Sequence, residues 1–431
     1  MNIKPSDRIV IIGGGFAGMK LVKELKNTPV RVTLIDKHNF HSFQPLLYQV
    51  ASARIEPASI SFPFRKAFHG YKNFDFRMSE VEKIDTENKQ VITSSENVKY
   101  DHLVIATGCT TNFFGNDALK KYALPMKEMS EAIDIRNRVL LDFENYATAN
   151  AEEKERLMNI VVVGAGATGV ELSGAFAELK NDVLPKDYPK VDFSGLDIIL
   201  LEGGPHTLGN MSEESRKHSR KYLEELGVRV KTGVTLQSYD GNNAVLSTGE
   251  VIPCKNLIWS AGVFGNVIDG VVAKENIVRN RYIVNRYNQI KDTVNMYALG
   301  DVAYMETPRY PKGHPQVANV AINQAKNLGK NFKNSLNGKS LKAYEYKDLG
   351  MMATIGKNKA VVDLKHLKFQ GFAAWVVWMF LHLMLILSVR NKLIVFINWA
   401  WAYVTKDTSL RLSINSKNDT PQKHKILTVN K

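Results

Sequence analysis

Cysteine is almost missing from this chain: two in 431 residues, Cys109 and Cys254, far apart in sequence. Their scarcity and spacing exclude a disulfide-stapled scaffold and a CxxC metal or redox motif, and fit a reducing compartment. The N-terminus lacks an apolar leader. MNIKPSDR passes straight into an apolar strand with no small-residue cleavage site, so the N-terminal half is expected to stay in the cytoplasm. Acidic residues are the minority charge, 43 Asp and Glu against 57 Lys and Arg, a formal net charge of +14. A basic balance admits nucleic acid, an anionic membrane surface or acidic substrates as partners. What is present in ordinary amount, 44% apolar and 23% charged residues, describes a folded protein of two or three domains.

The informative feature is a device that occurs twice. IVIIGGGFAGMKLVKEL (Ile9–Leu25) and IVVVGAGATGVELSGAF (Ile160–Phe176) each open with a β-branched run, which reads as a strand buried on both faces. GxGxxG follows: Gly13, Gly15 and Gly18 in the first copy, Gly164, Gly166 and Gly169 in the second. The first glycine allows the tight turn, the second lets a pyrophosphate approach, and the third lets helix and strand pack closely. The helix N-terminus then offers free N–H groups to the phosphates. A lone GxGxxG is weak evidence; the flanking strand and helix in both copies make these dinucleotide fingerprints. Each unit also has an acid for a ribose hydroxyl, Asp36 in VTLIDK and Glu202 in LDIILLEGG. Glu202 stands further from its glycines than usual. The segment NDVLPKDYPKVDFSG explains the excess and reads as an inserted loop. With Gly203 and Gly204 behind it and no Arg, Glu202 favours NADH over NADPH.

A third echo extends the repeat. YDHLVIATG, which contains Ala106, Thr107 and Gly108, and CKNLIWSAG, which contains Ala261 and Gly262, lie about as far apart as the glycine motifs do. The repeat therefore covers whole domains, and two dinucleotides in one chain imply hydride transfer between them. The bland alternative, that the acids merely end strands, loses ground with both fingerprints present. NMYALGDVA (Asn295–Ala303) resembles the flavin-binding segment of two-dinucleotide-domain flavoproteins, and by that resemblance Asp301 after Gly300 bonds the ribityl chain of FAD.

The C-terminus points to a membrane. FAAWVVWMFLHLMLILSV (Phe372–Val389) holds 18 residues with no Asp, Glu, Lys or Arg, and LIVFINWAWAYV (Leu393–Val404) follows. Three readings stay open: a monotopic pair lying in the interface, a spanning helix at the lower length limit, and a buried core or dimer contact. Four of the five tryptophans, Trp375, Trp378, Trp399 and Trp401, and the cations Arg390, Lys392, Lys406 and Arg411 favour the interface. No nucleic-acid module is visible, and the cofactor phosphates and a lipid surface account for the basic charge. The tail after Ser413 reads as disordered.

Taken in order, the two glycine-rich units, FQPLLYQVA (Phe43–Ala51), VIATG, VVVGAGATGVELSGAFAE, YALGDVA and the apolar C-terminal pair resemble the type II NADH dehydrogenases, single-subunit NADH:quinone oxidoreductases that pump no protons. The resemblance covers about residues 8–412. It implies an α/β fold of two Rossmann-like, glutathione-reductase-like domains plus a C-terminal helical membrane-association region. Residues 1–117 and 264–350 would bind FAD, 118–263 NADH, and 351–412 the membrane surface and a homodimer partner, with 413–431 a disordered tail. FAD would be held by Gly13, Gly15, Phe16, Ala17, Gly18, Asp36, Lys37, Val81, Ala106, Thr107, Gly108, Gly300, Asp301, Val317 and Ala318. NADH would take Gly164, Gly166, Ala167, Thr168, Gly169, Glu202, Ala261 and Gly262. Glu171 matches the family's glutamate near the nicotinamide and flavin, although a glutamate early in a helix is also stabilised by the dipole alone. The family's quinone motif A-Q-x-A-x-Q reads ANVAIN here, with Asn319 and Asn323 for the glutamines and Gln316 and Gln324 nearby. The membrane quinone would enter between Pro315–Gln324 and the C-terminal helices, and the protein would sit on the cytoplasmic face of the cell membrane. Two other readings remain: a sulfide:quinone oxidoreductase-like enzyme, which needs reactive cysteines, and an apoptosis-inducing-factor-like flavoprotein that binds NADH and acts through partners.

Overall fold

The computed structural model describes residues 1–146, 148–407 and 410–412; the tail beyond lies outside the described residues. Two five-stranded parallel sheets form its frame. The first runs Met296–Ala298, His102–Ile105, Arg8–Ile12, Arg31–Asp36, Phe74–Met78. The second runs Leu124–Pro125, Asn256–Trp259, Asn159–Val163, Asp197–Glu202, Val228–Thr232. The two orders are equivalent strand for strand, so the sequence repeat is a repeat of topology. Each glycine-turn strand is central and buried at its last four positions, as parallel strands covered by helices require. Each sheet carries a small antiparallel three-stranded flap, Val81–Lys99 in the first unit and Leu236–Pro253 in the second. Cys109–Thr111 and Val263–Gly265, the segments that follow the third echo, pair antiparallel and join the two units.

The helices used below are α1 (Phe16–Glu24), α2 (Leu47–Ala51), α3 (Met129–Tyr146), α4 (Ala167–Glu178), α5 (Glu213–Glu225), α6 (Ala318–Leu336), α7 (Phe372–Leu385) and α8 (Val389–Thr405). The stretch after α4 is not the loop expected from its polarity. It continues as a π turn over Leu179–Val183 and a helical turn over Leu184–Asp187, with Pro185 in the first turn, where its missing N–H does no harm. Val183 and Leu184 are buried there, and that burial outweighs the polar composition.

The C-terminal portion begins not with helix but with an antiparallel sheet of Met351–Gly356, Lys359–Asp363 and Lys368–Gln370. Its first strand lies on α4 at Gly174, where a built Cβ would stand 1.8 Å from the Ile355 carbonyl oxygen. Asp363 ties the second strand to the start of α5, accepting from Ser212 N at 2.6 Å, Ser212 Oγ at 2.9 Å and Ser215 Oγ at 2.7 Å. The long apolar run is then broken. Helix α7 ends at Leu385 and Ser388 caps α8, its Oγ accepting from Asn391 N at 3.0 Å. Fourteen residues reach about 21 Å, short of the ~30 Å hydrocarbon thickness. Among the described residues no helix is long and apolar enough to cross a membrane.

Candidate functional site: two nucleotide cradles and a shared cavity

Both glycine turns are built alike. Gly13 N donates to the Ile35 carbonyl and Gly164 N to the Leu201 carbonyl, each at 2.8 Å. Gly13 and Gly164 sit at φ +98° and +99°, a region that favours glycine. A Cβ on Gly13 would lie 2.4 Å from the Ala106 oxygen, and one on Gly164 2.9 Å from the Ala261 Cα, so the third echo supplies the strand ends that abut each turn. A Cβ on Gly18 or Gly169 would meet the carbonyl oxygen of its own first glycine at 1.9 Å. Gly15 and Gly166, by contrast, have no atom within 4 Å of a built Cβ. Among the described residues no side chain caps α1 or α4 at these glycines. Open space beside uncapped N–H groups fits a pyrophosphate in both units.

The acids serve the same architecture. Asp36 Oδ2 accepts from Gly14 N at 2.6 Å and its Oδ1 from His38 N at 2.8 Å. Glu202 Oε2 accepts from Ala165 N at 2.7 Å and its Oε1 from Gly204 N at 2.7 Å. Each carboxylate thus fixes the middle of its glycine turn, and burial raises the pKa of Asp36. Phe16 packs edge-on against His41 and Phe43. Ala17, buried on α1, lies close to Gly300, which brings the Gly300–Asp301 turn to the mouth of the first cradle. Thr107 Oγ1 donates to the Asn266 carbonyl at 2.6 Å, and Gly108 and Gly262 adopt φ +69° and +81° in the segments that join the units. Lys37 pairs with Glu128 at 2.8 Å, and Val81 begins the flap strand of the first unit. Ala167 and Thr168 are exposed in the first turn of α4.

The residues singled out for electron transfer are split between two places. Gln316 Nε2 donates to the Asp301 carbonyl at 2.9 Å. Gln324, fully buried, accepts from Gly300 N at 2.8 Å and so pins the Gly–Asp turn. Asn323 Nδ2 donates to the Asn319 carbonyl at 2.8 Å and borders an outer groove with Lys326 and Lys330. Val317 is the cap residue of α6, and Ala318 and Asn319 open the helix.

Glu171 lies elsewhere, in a cavity of about 630 Å³ counted with its mouth, where both units meet the C-terminal portion. Tyr48, Gln49 and Arg54 come from the first unit. Glu171, Ala175 and Glu178 come from one face of α4, and Thr354, Trp378, Trp399 and Tyr403 from the C-terminal portion. None of residues 315–324 lines it. Glu171 is 8% exposed and accepts from Thr354 N at 3.3 Å. Burial pushes its carboxyl up to about 8, against the opposing pull of the Thr354 N–H and of Trp378. The Trp378 indole nitrogen beside it is buried with no acceptor in hydrogen-bond geometry among the described residues. Trp378 stacks on His382 at 4.0 Å, and burial lowers the His382 pKa to about 4, so this imidazole is neutral at physiological pH. Gln49 links the cavity to α8, accepting from Trp399 Nε1 at 2.7 Å and donating to Tyr48 Oη at 2.8 Å. Glu178 pairs with Arg54 and accepts from Lys357 N. Trp378, expected from sequence as an interface anchor, is instead buried in this wall, and Tyr48, Gln49 and Glu178 carry no sequence mark of a site, although Glu178 lies two turns beyond Glu171 on the same helix face.

Both thiols are pushed up to about 12, by burial first and by Asp301 or Asp240 second, so neither is a thiolate at neutral pH. Cys109 Sγ donates to Asp301 Oδ2 at 2.9 Å.

Two matched Rossmann cradles on one chain define the class, and comparison with known proteins narrows it. Residues 7–325 match the pyridine nucleotide-disulphide oxidoreductase family, and residues 349–406 match the NDH2 C-terminal domain. The chain is 32% identical over 416 residues to the type II NADH:quinone oxidoreductase Ndh of Mycobacterium tuberculosis, covering 92% of this chain and 88% of that one. In fold it is similar to NDH2 of Plasmodium falciparum solved in complex with NADH, with TM-score 0.86 at 20% identity over 95% of this chain and 100% of that one. The sulfide:quinone oxidoreductase of Aquifex aeolicus is more distant, with TM-score 0.72 at 18% identity over 95% and 96%. The chain belongs to the type II NADH:quinone oxidoreductase family.

Proposed function

We propose that this chain is an FAD-dependent NADH:quinone oxidoreductase that works at a membrane surface and pumps no protons. The observation that carries the reading is the cavity at Glu171, walled by both nucleotide units and by the apolar helices α7 and α8. The first unit holds FAD through the Gly13–Gly18 turn, Asp36 and Asp301. The second holds NADH through the Gly164–Gly169 turn and Glu202. When bound, FAD supplies the two-electron relay between NADH and quinone. The protein's own groups bind and orient the nucleotides, exclude water, and in Glu171 hold a proton at the cavity wall.

The outer faces of α7 and α8 expose Phe380, Leu385, Phe396, Ile397, Trp401 and Val404. With Arg390 and Lys392 in the first turn of α8, this face suits a monotopic seat among lipid headgroups, and quinone reaches the cavity from that side. The same region is available to a homodimer contact. The sulfide reading needs a reactive thiol, and both thiols here are held protonated. The partner-binding reading leaves the apolar cavity without a task.

The test is direct. The purified, lipid-supplied protein is reduced anaerobically with NADH, and a soluble quinone is added while flavin absorbance is followed. Bleaching followed by rapid recovery is expected; bleaching without recovery sinks the quinone assignment. NADPH is expected to serve poorly, because the Glu202 carboxylate repels a 2′-phosphate. Glu202→Gln is expected to narrow the kcat/KM preference for NADH over NADPH by about tenfold, the worth of ~1.4 kcal/mol, and an unchanged ratio would remove Glu202 from that role.

A further inference from the structure

The connection between the strand Leu124–Pro125 and helix α3 crosses the first cradle. Its two consecutive charged side chains reach two groups beside the glycine turn, Lys37 and Asp301. Glu128 accepts from Lys37 Nζ at 2.8 and 3.2 Å, one residue beyond the Asp36 that holds Gly14. Lys127 Nζ stands 4.0 Å from Asp301 Oδ2, the carboxylate to which Cys109 also donates. The crossing is pinned from below, because Glu131 Oε2 accepts from Lys127 N at 2.6 Å and from Glu128 N at 2.8 Å. Asp36 is joined to the middle of the turn and Gly300 lies near Ala17, so residues 127–128 touch groups on both sides of the mouth where a pyrophosphate would sit.

The charges around that mouth need a cation. Asp36 and Asp301 flank it, and a dinucleotide adds two phosphate charges between them. The Cys109 thiol donates a proton but carries no charge. The Lys127 ammonium is largely covered, with its side chain 23% exposed, yet it keeps its charge beside Asp301.

We propose that Met126–Glu131 is a strap that locks FAD into the first unit, with Lys127 the cation for its pyrophosphate and Glu128 the latch onto Lys37. The inference rests on the FAD reading above. The strand that precedes the strap belongs to the second sheet, so retention of FAD depends on the two units staying together.

Release of FAD from the full-length holoenzyme on dilution, read as the return of free flavin fluorescence, tests it. For Lys127→Met, release is expected about tenfold faster or more, as for loss of a hydrogen bond to a charged group. ADP carries the pyrophosphate without the flavin, and is expected to block FAD rebinding several-fold less well in the variant than in the wild type. Release as slow as in the wild type overturns the proposal. Faster release with an undiminished ADP block overturns the pyrophosphate contact and leaves Lys127 as the counter-ion of Asp301. If Lys127→Met does not fold, Glu128→Gln carries the test, since its ion pair is partly exposed. Release about two- to fivefold faster is expected, and an unchanged rate overturns the strap. A wild-type protein that purifies without FAD would instead remove the functional reading, so the two failures are distinguishable.

Discussion

Glu171→Gln is expected to lower quinone-dependent turnover by about a hundredfold while flavin reduction by NADH stays within a few-fold of wild type. Reducing a quinone consumes two protons, and a positioned acid typically contributes 10²–10⁴-fold. Of the two buried carboxyls of the shared cavity, Glu178 is ion-paired with Arg54, whereas Glu171 has its pKa pushed up to about 8 and is protonated at neutral pH. Wild-type turnover should therefore fall as pH rises through about 8, and the glutamine variant should show no such step. Stability follows with a definite sign. The ordinary value of 4.5 is raised to about 8 in the fold, so the folded state holds a proton that the unfolded state loses between those values. The contribution is full below about pH 4.5 and is lost as pH climbs to about 8, at about 1.4 kcal/mol per unit, a few kcal/mol in all. Relative to wild type, Glu171→Gln should therefore gain melting temperature between pH 5 and pH 9. Equal loss of NADH-driven bleaching and quinone turnover would make Glu171 a nucleotide-positioning group and end its role as proton donor.

Gly174→Ala is expected to cost about 3 kcal/mol and to dislodge the C-terminal portion. The added methyl meets the Ile355 carbonyl oxygen at 1.8 Å, backbone that no rotamer change can move aside. Two carboxylates on the same face of α4 depend on that approach: Glu171 with Thr354 N, and Glu178 with Lys357 N. Forcing helix and strand apart loosens both bonds and opens the cavity wall. The result should appear as a lowered melting temperature, faster proteolytic cutting between the units and the C-terminal sheet, and lost quinone turnover, with FAD still bound. A variant with wild-type melting temperature and turnover would show that the close packing is dispensable.

The two cradles were legible because their chemistry is local. A glycine at positive φ, a glycine under a carbonyl and an acid at the next strand end leave marks in a short stretch of sequence. Glu171 was singled out by the family resemblance rather than by any local chemistry of its own. The cavity around it was not legible, because Tyr48, Thr354 and Trp378 come from three distant segments. The sheet Met351–Gln370 was missed because the neighbouring apolar run drew the whole region toward helix. The break at Ser388 was marked only by a serine followed three residues later by Asn391. The insertion after Glu202's glycine turn looked like loop because its composition is polar, and only packing shows that Val183 and Leu184 turn inward. Lys127 and Glu128 are two charged residues in a short connection, and nothing in sequence says that they reach Asp301 and Lys37.

Under the proposed seat at a membrane surface, the mouth framed by α7 and α8 fixes the reservoir from which the enzyme takes its acceptor. In the membrane-seated enzyme proposed above, a lipid-soluble quinone that arrives through that face is drawn from the bilayer, a two-dimensional reservoir. Its effective concentration is then the mole fraction of quinone in lipid. Added quinone-free bilayer would starve the enzyme at constant total quinone, while diluting the whole suspension would leave each enzyme on its own vesicle turning over as before.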